Sequence, residues 1–249
     1  MDYVMVRPSL ISTLAFLAVV VAVAMAFPVG IWVGTLRACG PSHARSAALR
    51  ACGATLAVLA ISAALAQSGV LQPSANGAGL MAYFAACNLG AIGLGLSPLG
   101  QRLAQALPLY ALVGFHAFRL PLELVFHQWY MEGVIPVQMT YAGANFDVVT
   151  GLLALLLAPL MYFEKLSRRA AWCFNVLGTV LLINVAFIAL RSSPVPLRSY
   201  TNEPPLLLAL HAPYTWVLPV CVAGALFGHL LIFRHLRSSE AELLGASGA

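Results

Sequence analysis

The chain of 249 residues is 61% hydrophobic and only 8% charged, and its mean hydropathy is +0.89. Because soluble domains carry about 25% charged residues, this composition excludes a soluble enzyme and predicts an integral membrane protein. The formal charge of +5 comes from basic residues scattered over short loops. It therefore predicts contact with the anionic surface of a bilayer and no binding of nucleic acid.

Seven apolar stretches run through the chain, each close to the roughly 20 residues that a transmembrane helix needs. They predict an all-α membrane protein in which residues 1–249 form one transmembrane domain, a bundle of about seven helices. The first stretch is expected to be an uncleaved anchor, and the start of the last is open between Leu206 and Pro213. The predicted spans are residues 10–33, 51–70, 80–96, 107–130, 146–163, 171–190 and 208–233.

The distribution of basic residues between the spans predicts the orientation. Cytoplasmic loops carry an excess of lysine and arginine, and this excess appears when the N-terminus is placed outside and the C-terminus inside. The inner side then holds Arg37, Arg45, Arg50, Arg102, Lys165, Arg168, Arg169, Arg234 and Arg237, whereas the outer side holds Arg7, Arg191 and Arg198.

The fourth predicted span carries a stripe of polar side chains. At about 100° per residue, one side of the helix presents His116, Arg119, Glu123, His127 and Tyr130. Ionisable groups at membrane depth are costly and usually face a protein interior or a water-filled cavity, so the stripe is a candidate functional site. The structural alternative is a buried Arg119–Glu123 pair at i,i+4 that only locks helices together.

Further polar residues fall on the predicted outer side of the same region. The segment GVIPVQMTYAGAN after the fourth span is expected to lie in the membrane interface or to fold back into the protein. With the stripe, these residues predict a polar, ionisable pocket that opens to the outer face and binds a small or amphipathic ligand. They are Asn145, Asp147, Asn184, Asn202, Glu203 and His211.

A metal ion at this pocket is an open alternative. Glu123 and His127 lie one helical turn apart and could share an ion, with Asp147 as a further ligand and Glu203 or His211 as others. Haem is not expected, since axial histidines at matching depths are not evident. Retinal is excluded because the only lysine, Lys165, lies in a loop and cannot form a Schiff base within a span.

The motifs MTYAGANFD (residues 139–147) and TNEPP (residues 201–205) resemble those of a group of bacterial seven-helix integral membrane proteins of unassigned function. The resemblance covers about residues 116–216. It implies a location in the bacterial inner membrane, and it implies that Asn145, Asp147, Asn202 and Glu203 belong to one site. It implies no activity.

Three functions fit these observations. The first is a binding or transport protein in which Arg119 anchors an anionic group while Glu123, His127 and Asp147 carry protons or a cation. The second is a membrane-embedded enzyme, with or without a metal, that acts on a substrate in the lipid phase. The third is a non-catalytic subunit or assembly factor whose polar stripe contacts the helices of an unidentified partner protein.

Overall fold

The structure is a computed structural model that describes residues 5–73, 77–202 and 204–247, and side chains up to residue 238. All regular structure in these residues is helical. The helices are α1 (Leu10–Cys39), α2 (Pro41–Gln67), α3 (Ala78–Leu96), α4 (Pro98–Ala106), α5 (Leu109–Phe115), α6 (Arg119–Met131), α7 (Val148–Tyr162), α8 (Arg168–Ser192) and α9 (Ala223–Ser247).

Helix length and composition agree with a multi-pass membrane protein. Six helical stretches are long and apolar enough to cross a membrane, with α5 and α6 counted as one, and α7 is a shorter apolar helix. Large apolar side chains on five different helices point away from the core. In a bilayer such faces contact lipid rather than water. Examples are Val21, Leu56, Leu89, Leu155 and Ile183.

The predicted basic loop between the first two spans is helical. Helix α1 continues to Cys39 and α2 begins at Pro41, so the connection is the single residue Gly40, whose φ is 84°. Glycine adopts positive φ without a steric penalty, and proline is well tolerated at the first helical position because its missing N–H would have no partner there. Arg45 and Arg50 therefore lie on the first turns of a helix.

The helix of the polar stripe is interrupted by a tighter turn. A 3₁₀ turn, His116–Phe118, separates α5 from α6. Pro121 explains the distortion, because proline has no N–H for the carbonyl of Ala117 four residues earlier and its ring crowds that carbonyl. The turn places His116 at the junction of the two helices, at the middle of the bundle.

One end of the bundle is tied together at the start of α1, and we call it the Ser9 end. The backbone N–H and the hydroxyl of Ser9 both donate to the Glu132 carboxylate, at 2.9 and 2.7 Å. The hydroxyls of Thr13 and Tyr214 are 2.9 Å apart. The end of α6 and the approach to α9 therefore lie beside the N-terminus of α1.

The opposite end, the Arg234 end, is tied by arginines that donate to carbonyls near helix C-termini. Arg234 Nη1 donates to the oxygen of Gly95 in the last turn of α3 at 2.7 Å, and to that of Ser97 just after it at 3.0 Å. Arg37 Nη1 donates to the oxygen of Ala106 at 2.6 Å, at the end of α4. Such contacts satisfy carbonyls that have no partner within their own helix.

The segment between α6 and α7 folds back into the protein, one of the two placements expected for it. Most of residues 134–140 are buried, and so is Asn145. Gln138 anchors the segment to α8 by donating to the Ser192 hydroxyl at 3.0 Å, and its Oε1 accepts from Asn202 at 2.6 Å. This brings Asn145 and Asp147 against the polar stripe of α6.

Candidate functional site

A column of buried ionisable side chains runs along α5 and α6, and we call it the buried column. It consists of His116, Arg119 and Glu123 on one face, joined by Asp147 at the start of α7 and by His229 on α9. Each of the first three is at most 1% exposed. Pro121 lies on the exposed side of α6, whereas the charged face of the helix points towards the other helices.

Arg119 forms an ion pair across helices. Its Nη1 lies 2.7 Å from Asp147 Oδ1 and 3.3 Å from the carbonyl oxygen of Gly178 on α8. Its Nε and Nη2 are buried and have no hydrogen-bond partner within the described residues. The salt bridge of Arg119 thus goes to Asp147 on α7, and the expected alternative with Glu123 is not the one formed.

Glu123 is held by an amide. Asn145 Nδ2 donates to both Glu123 oxygens, at 2.8 and 2.9 Å, and also to the carbonyl of Met139 at 3.0 Å. Asn145 Oδ1 accepts the backbone N–H of Asp147 at 3.1 Å. One asparagine therefore fixes the Glu123 carboxylate and the start of α7 together, and the two carboxylates of the column are positioned by the same short segment.

Two imidazoles extend the column towards the Arg234 end. The rings of His116 and His229 are stacked, with centroids 4.0 Å apart. His229 Nδ1 lies 2.7 Å from Asn175 Oδ1, and Asn175 Nδ2 donates to the backbone oxygen of His229 at 3.1 Å. Both ring nitrogens of His116 are buried without a hydrogen-bond partner in the part of the chain that is described.

Three glycines let the helices approach the column. A Cβ at Gly178 would lie 2.6 Å from His229 Cε1, one at Gly228 would lie 2.9 Å from His116 Nε2, and one at Gly151 would lie 2.3 Å from the backbone nitrogen of Leu120. Side chains at these positions would overlap the polar rings or the backbone of α6. Helices α7, α8 and α9 therefore pack directly onto the charged face.

His127 and Tyr130 belong to the stripe but lie at its margin. Both are half-buried. The His127 ring stacks on Tyr141 with centroids 4.5 Å apart, and its centroid is 6.1 Å from that of Tyr130. These rings lie one turn beyond Glu123 in the direction of the Ser9 end, between the buried column and the surface.

The remaining predicted residues lie in separate places. Asn184 donates to the backbone oxygen of Ala144 at 2.9 Å, next to Asn145, so it supports the segment that holds the column. The side chain of Asn202 donates to Gln138 instead of to the column. His211 directly follows the 3₁₀ turn Leu208–Leu210, well before the start of α9. Glu203 lies outside the described residues.

His229 and Asn175 are site residues that the sequence analysis did not include. Each is a single polar residue in an otherwise apolar span, and neither shows a periodic relation to the stripe. The sequence feature that could have identified them is their position, because both are polar residues inside predicted transmembrane spans. Their partnership is visible only when α8 and α9 are packed together.

The structure does not bring the proposed metal ligands together. Asp147 pairs with Arg119, Glu123 accepts from Asn145 and His127 stacks on Tyr141. Within the described ranges, no three His, Cys, Asp or Glu side chains are grouped so that they could hold a metal ion. The buried column thus holds an ion pair, a second carboxyl group and two stacked imidazoles, all of which are groups that can exchange protons or bind charged groups.

The buried column is closed to the outside in this conformation. A small crevice of about 60 Å³ near the Ser9 end is lined largely by apolar side chains, among them Phe126, Trp129 and Met139. A larger groove of about 460 Å³ runs between α1 and α6 and is bordered by residues such as Ser12, Pro121 and Gln128. Neither cavity is lined by a residue of the buried column.

Comparison with known proteins yields one family. A family model described as "Domain of unknown function (DUF8737)" matches residues 75–237. This range contains α3 to α8 and most of α9, and with them the whole buried column. No curated protein and no solved structure matches the chain.

Proposed function

The chain belongs to the DUF8737 family, and from the geometry of its buried column we propose that it is a proton-coupled transporter of a small or amphipathic ligand. In this proposal the protein lies in the bacterial inner membrane with seven crossing helices. Its N-terminus and the Ser9 end are outside, and its C-terminus and the Arg234 end are inside. The buried column binds protons and ligand in turn, and a polar pocket opens to the outer face in a second conformation.

The observation that carries the proposal is the sealed column itself. Five ionisable side chains meet at the middle of the bundle, and Arg119 with Asp147 is the pair that satisfies part of their charge. Buried polar groups without partners are costly and call for a specific explanation. Protons, water or a ligand that enter the column during a transport cycle would provide it.

The extent of the column also fits a proton path. His116, Arg119, Glu123 and His127 recur at three- and four-residue intervals, and eleven residues at 1.5 Å each span about 16 Å. The half-buried His127 marks the side towards the Ser9 end, and His229 with Asn175 marks the other side. A path of this length crosses about half of a hydrocarbon core that is about 30 Å thick.

The packing of the buried column against the chain's own helices favours transport over a role as a subunit. Its partners are the chain's own helices α7, α8 and α9, so the polar stripe is already covered by protein. An assembly factor that used this stripe on a partner would need it at the surface. A membrane-embedded enzyme is still an alternative, but no observation favours it over transport.

The test is charge movement after a pH step. The full chain is reconstituted into liposomes that are adsorbed on a solid-supported membrane, and the transient current after the step is recorded. We expect a current for the wild type that is lost in Glu123→Gln, because the amide cannot exchange a proton. The matched control is Glu132→Gln, a glutamate at the Ser9 end that should leave the current unchanged.

Two results would overturn the proposal. One is a wild-type current no larger than that of empty liposomes, and the other is a current that persists in folded Glu123→Gln. Native mass spectrometry on the same preparations adds a separate result. A co-purified partner protein that is lost in Glu123→Gln would favour the subunit role over transport.

A further inference from the structure

The guanidinium of Arg119 has two different edges, and the protein uses one nitrogen of it. Nη1 donates to Asp147 and Gly178, whereas Nε and Nη2 have no hydrogen-bond partner among the described residues. These two nitrogens form the side edge of the planar group. Their N–H bonds run parallel, which is the arrangement that binds two oxygens of one carboxylate or phosphate.

The neighbouring carboxylates do not take this edge. Asp147 meets Nη1, and Glu123 directs both of its oxygens to Asn145 Nδ2, at 2.8 and 2.9 Å. Asn145 is itself held by Met139 and Asp147. The segment that carries it thus keeps Glu123 away from the edge, although Glu123 is only one helical turn from Arg119.

We infer that the side edge of Arg119 is the binding subsite for an oxyanion, a carboxylate or phosphate group of the transported ligand. The inference rests on the proposed function and names the ligand class for the same site. An oxyanion with two oxygens in one plane would satisfy both free donors at once. Arg119 is 1% exposed, so the ligand would reach it only in the open conformation.

The charges of the buried column should couple anion binding to proton uptake. Arg119 faces Asp147 and lies near Glu123, and His116 and His229 stack on the other side. A bound anion would add a negative charge to a site that already holds two carboxylates. A proton on Glu123, His116 or His229 would balance it, so anion binding and proton binding should favour each other.

The test measures anion binding to the full chain in nanodiscs. Thermal unfolding is followed while acetate, octanoate or inorganic phosphate is added at constant ionic strength, with chloride as the reference salt. A ligand that binds only the folded state raises the unfolding temperature in a concentration-dependent way. We expect such a rise for at least one of the three probes. Octanoate alone would indicate an amphipathic carboxylate, and phosphate alone a phosphate group.

Two variants should move the affinity in opposite directions. Arg119→Lys keeps the charge but has no planar edge, and we expect it to weaken binding by about tenfold or more. Glu123→Gln removes the capacity of this side chain to carry a negative charge beside the anion, and we expect it to strengthen binding by up to about tenfold. Because general misfolding cannot strengthen binding, the second variant keeps the test informative when the first folds poorly. The matched control is Arg234→Lys, which changes an arginine at the opposite end.

The inference is overturned when none of the probes raises the unfolding temperature of the wild type, or when folded Arg119→Lys binds as tightly as Arg234→Lys. The pH-step current separates this result from the wider proposal. A current that depends on Glu123 without any oxyanion binding would refute the oxyanion subsite alone. Loss of both would refute proton-coupled transport as well.

Discussion

Arg119 and Asp147 face each other at 2.7 Å where both side chains have lost nearly all contact with solvent. Removing such ions from water costs several kcal/mol each, and their attraction offsets this only when the geometry is good. A charge that loses its partner is therefore worse for the fold than the loss of the whole pair. This asymmetry can be tested with single and double variants of the pair.

We predict that Asp147→Asn lowers the free energy of unfolding by about 3–5 kcal/mol, because it leaves the Arg119 guanidinium buried without a counter-ion. The double variant Arg119→Met with Asp147→Leu should lose distinctly less. Reversible unfolding in mixed micelles would measure both differences. A double variant as unstable as the single one would show that the pair contributes packing, not charge balance.

The sequence predicted the members of the stripe better than their partners. Helical periodicity placed His116, Arg119 and Glu123 on one face, and all three are buried. The partner of Arg119 is nevertheless Asp147, because Asn145 holds Glu123. His229 was missed, since a lone histidine in an apolar span has no spacing that points to a partner. Contacts between helices depend on packing that a one-dimensional pattern does not contain.

The N-terminus of α1 is held by the carboxylate of Glu132. Glu132 accepts from the backbone and hydroxyl of Ser9, from the Ser12 hydroxyl at 3.0 Å and from Gln128 at 3.0 Å. Negative charge at a helix N-terminus is favourable because the first N–H groups have no partner and carry partial positive charge. Glu132 thus joins the end of α6 to the start of α1.

This junction predicts a pH dependence. Burial raises the pKa of Glu132, but the hydrogen bonds from Ser9, Gln128 and Ser12 outweigh it and hold the pKa below its ordinary value. A depressed pKa in the folded state means that the contribution is present above the unfolded pKa and is lost as pH falls through the folded one.

The protection of the amides of residues 9–13 against hydrogen exchange, taken relative to the intrinsic rate at each pH, should therefore fall in the acidic range below the ordinary glutamate pKa. In Glu132→Gln the exchange should already be faster near neutral pH and lack this acidic step. Exchange at the amides around Arg234, at the other end of the bundle, serves as the internal control. The same acidic step in wild type and variant would assign it to another group.

Proline and glycine residues explain where the observed helices depart from the predicted spans. Gly40 followed by Pro41 joins α1 to α2 without the loop that the sequence analysis expected between residues 33 and 51. Pro121 produces the tight turn at His116. Pro219 likewise cannot donate to the oxygen of Thr215 four residues earlier, and the Tyr83 hydroxyl donates to that oxygen instead, at 3.3 Å. The sequence shows where these prolines and glycines are, but it does not show which distant residues contact the backbone beside them.

Polar contacts between helices are concentrated at the two opposite ends of the bundle. The Ser9 end collects Ser9, Glu132 and Tyr214, and the Arg234 end collects Arg37 and Arg234. The arginines at the second end belong to the set expected on the inner side. The positive-inside rule then predicts that the Arg234 end faces the cytoplasm.

Thiol labelling can test this orientation. Cys39 is exposed at the end of α1, and a variant that keeps it as the only cysteine should react with a membrane-impermeant maleimide in inverted vesicles but not in right-side-out ones. In the same background without Cys39, Ser199→Cys should show the reverse, because Ser199 is exposed in the loop after α8. The opposite pattern for both would invert the proposed topology.

The short distance in sequence between Asn145 and Asp147 has a consequence for how the protein would respond to its ligand. These residues hold Glu123 and Arg119, and the backbone N–H of Asp147 is itself bound to Asn145. A shift of this segment large enough to release one contact would release the other too. States with a single contact broken should be sparsely populated, so opening would behave as an all-or-none switch, with a threshold in place of a graded response.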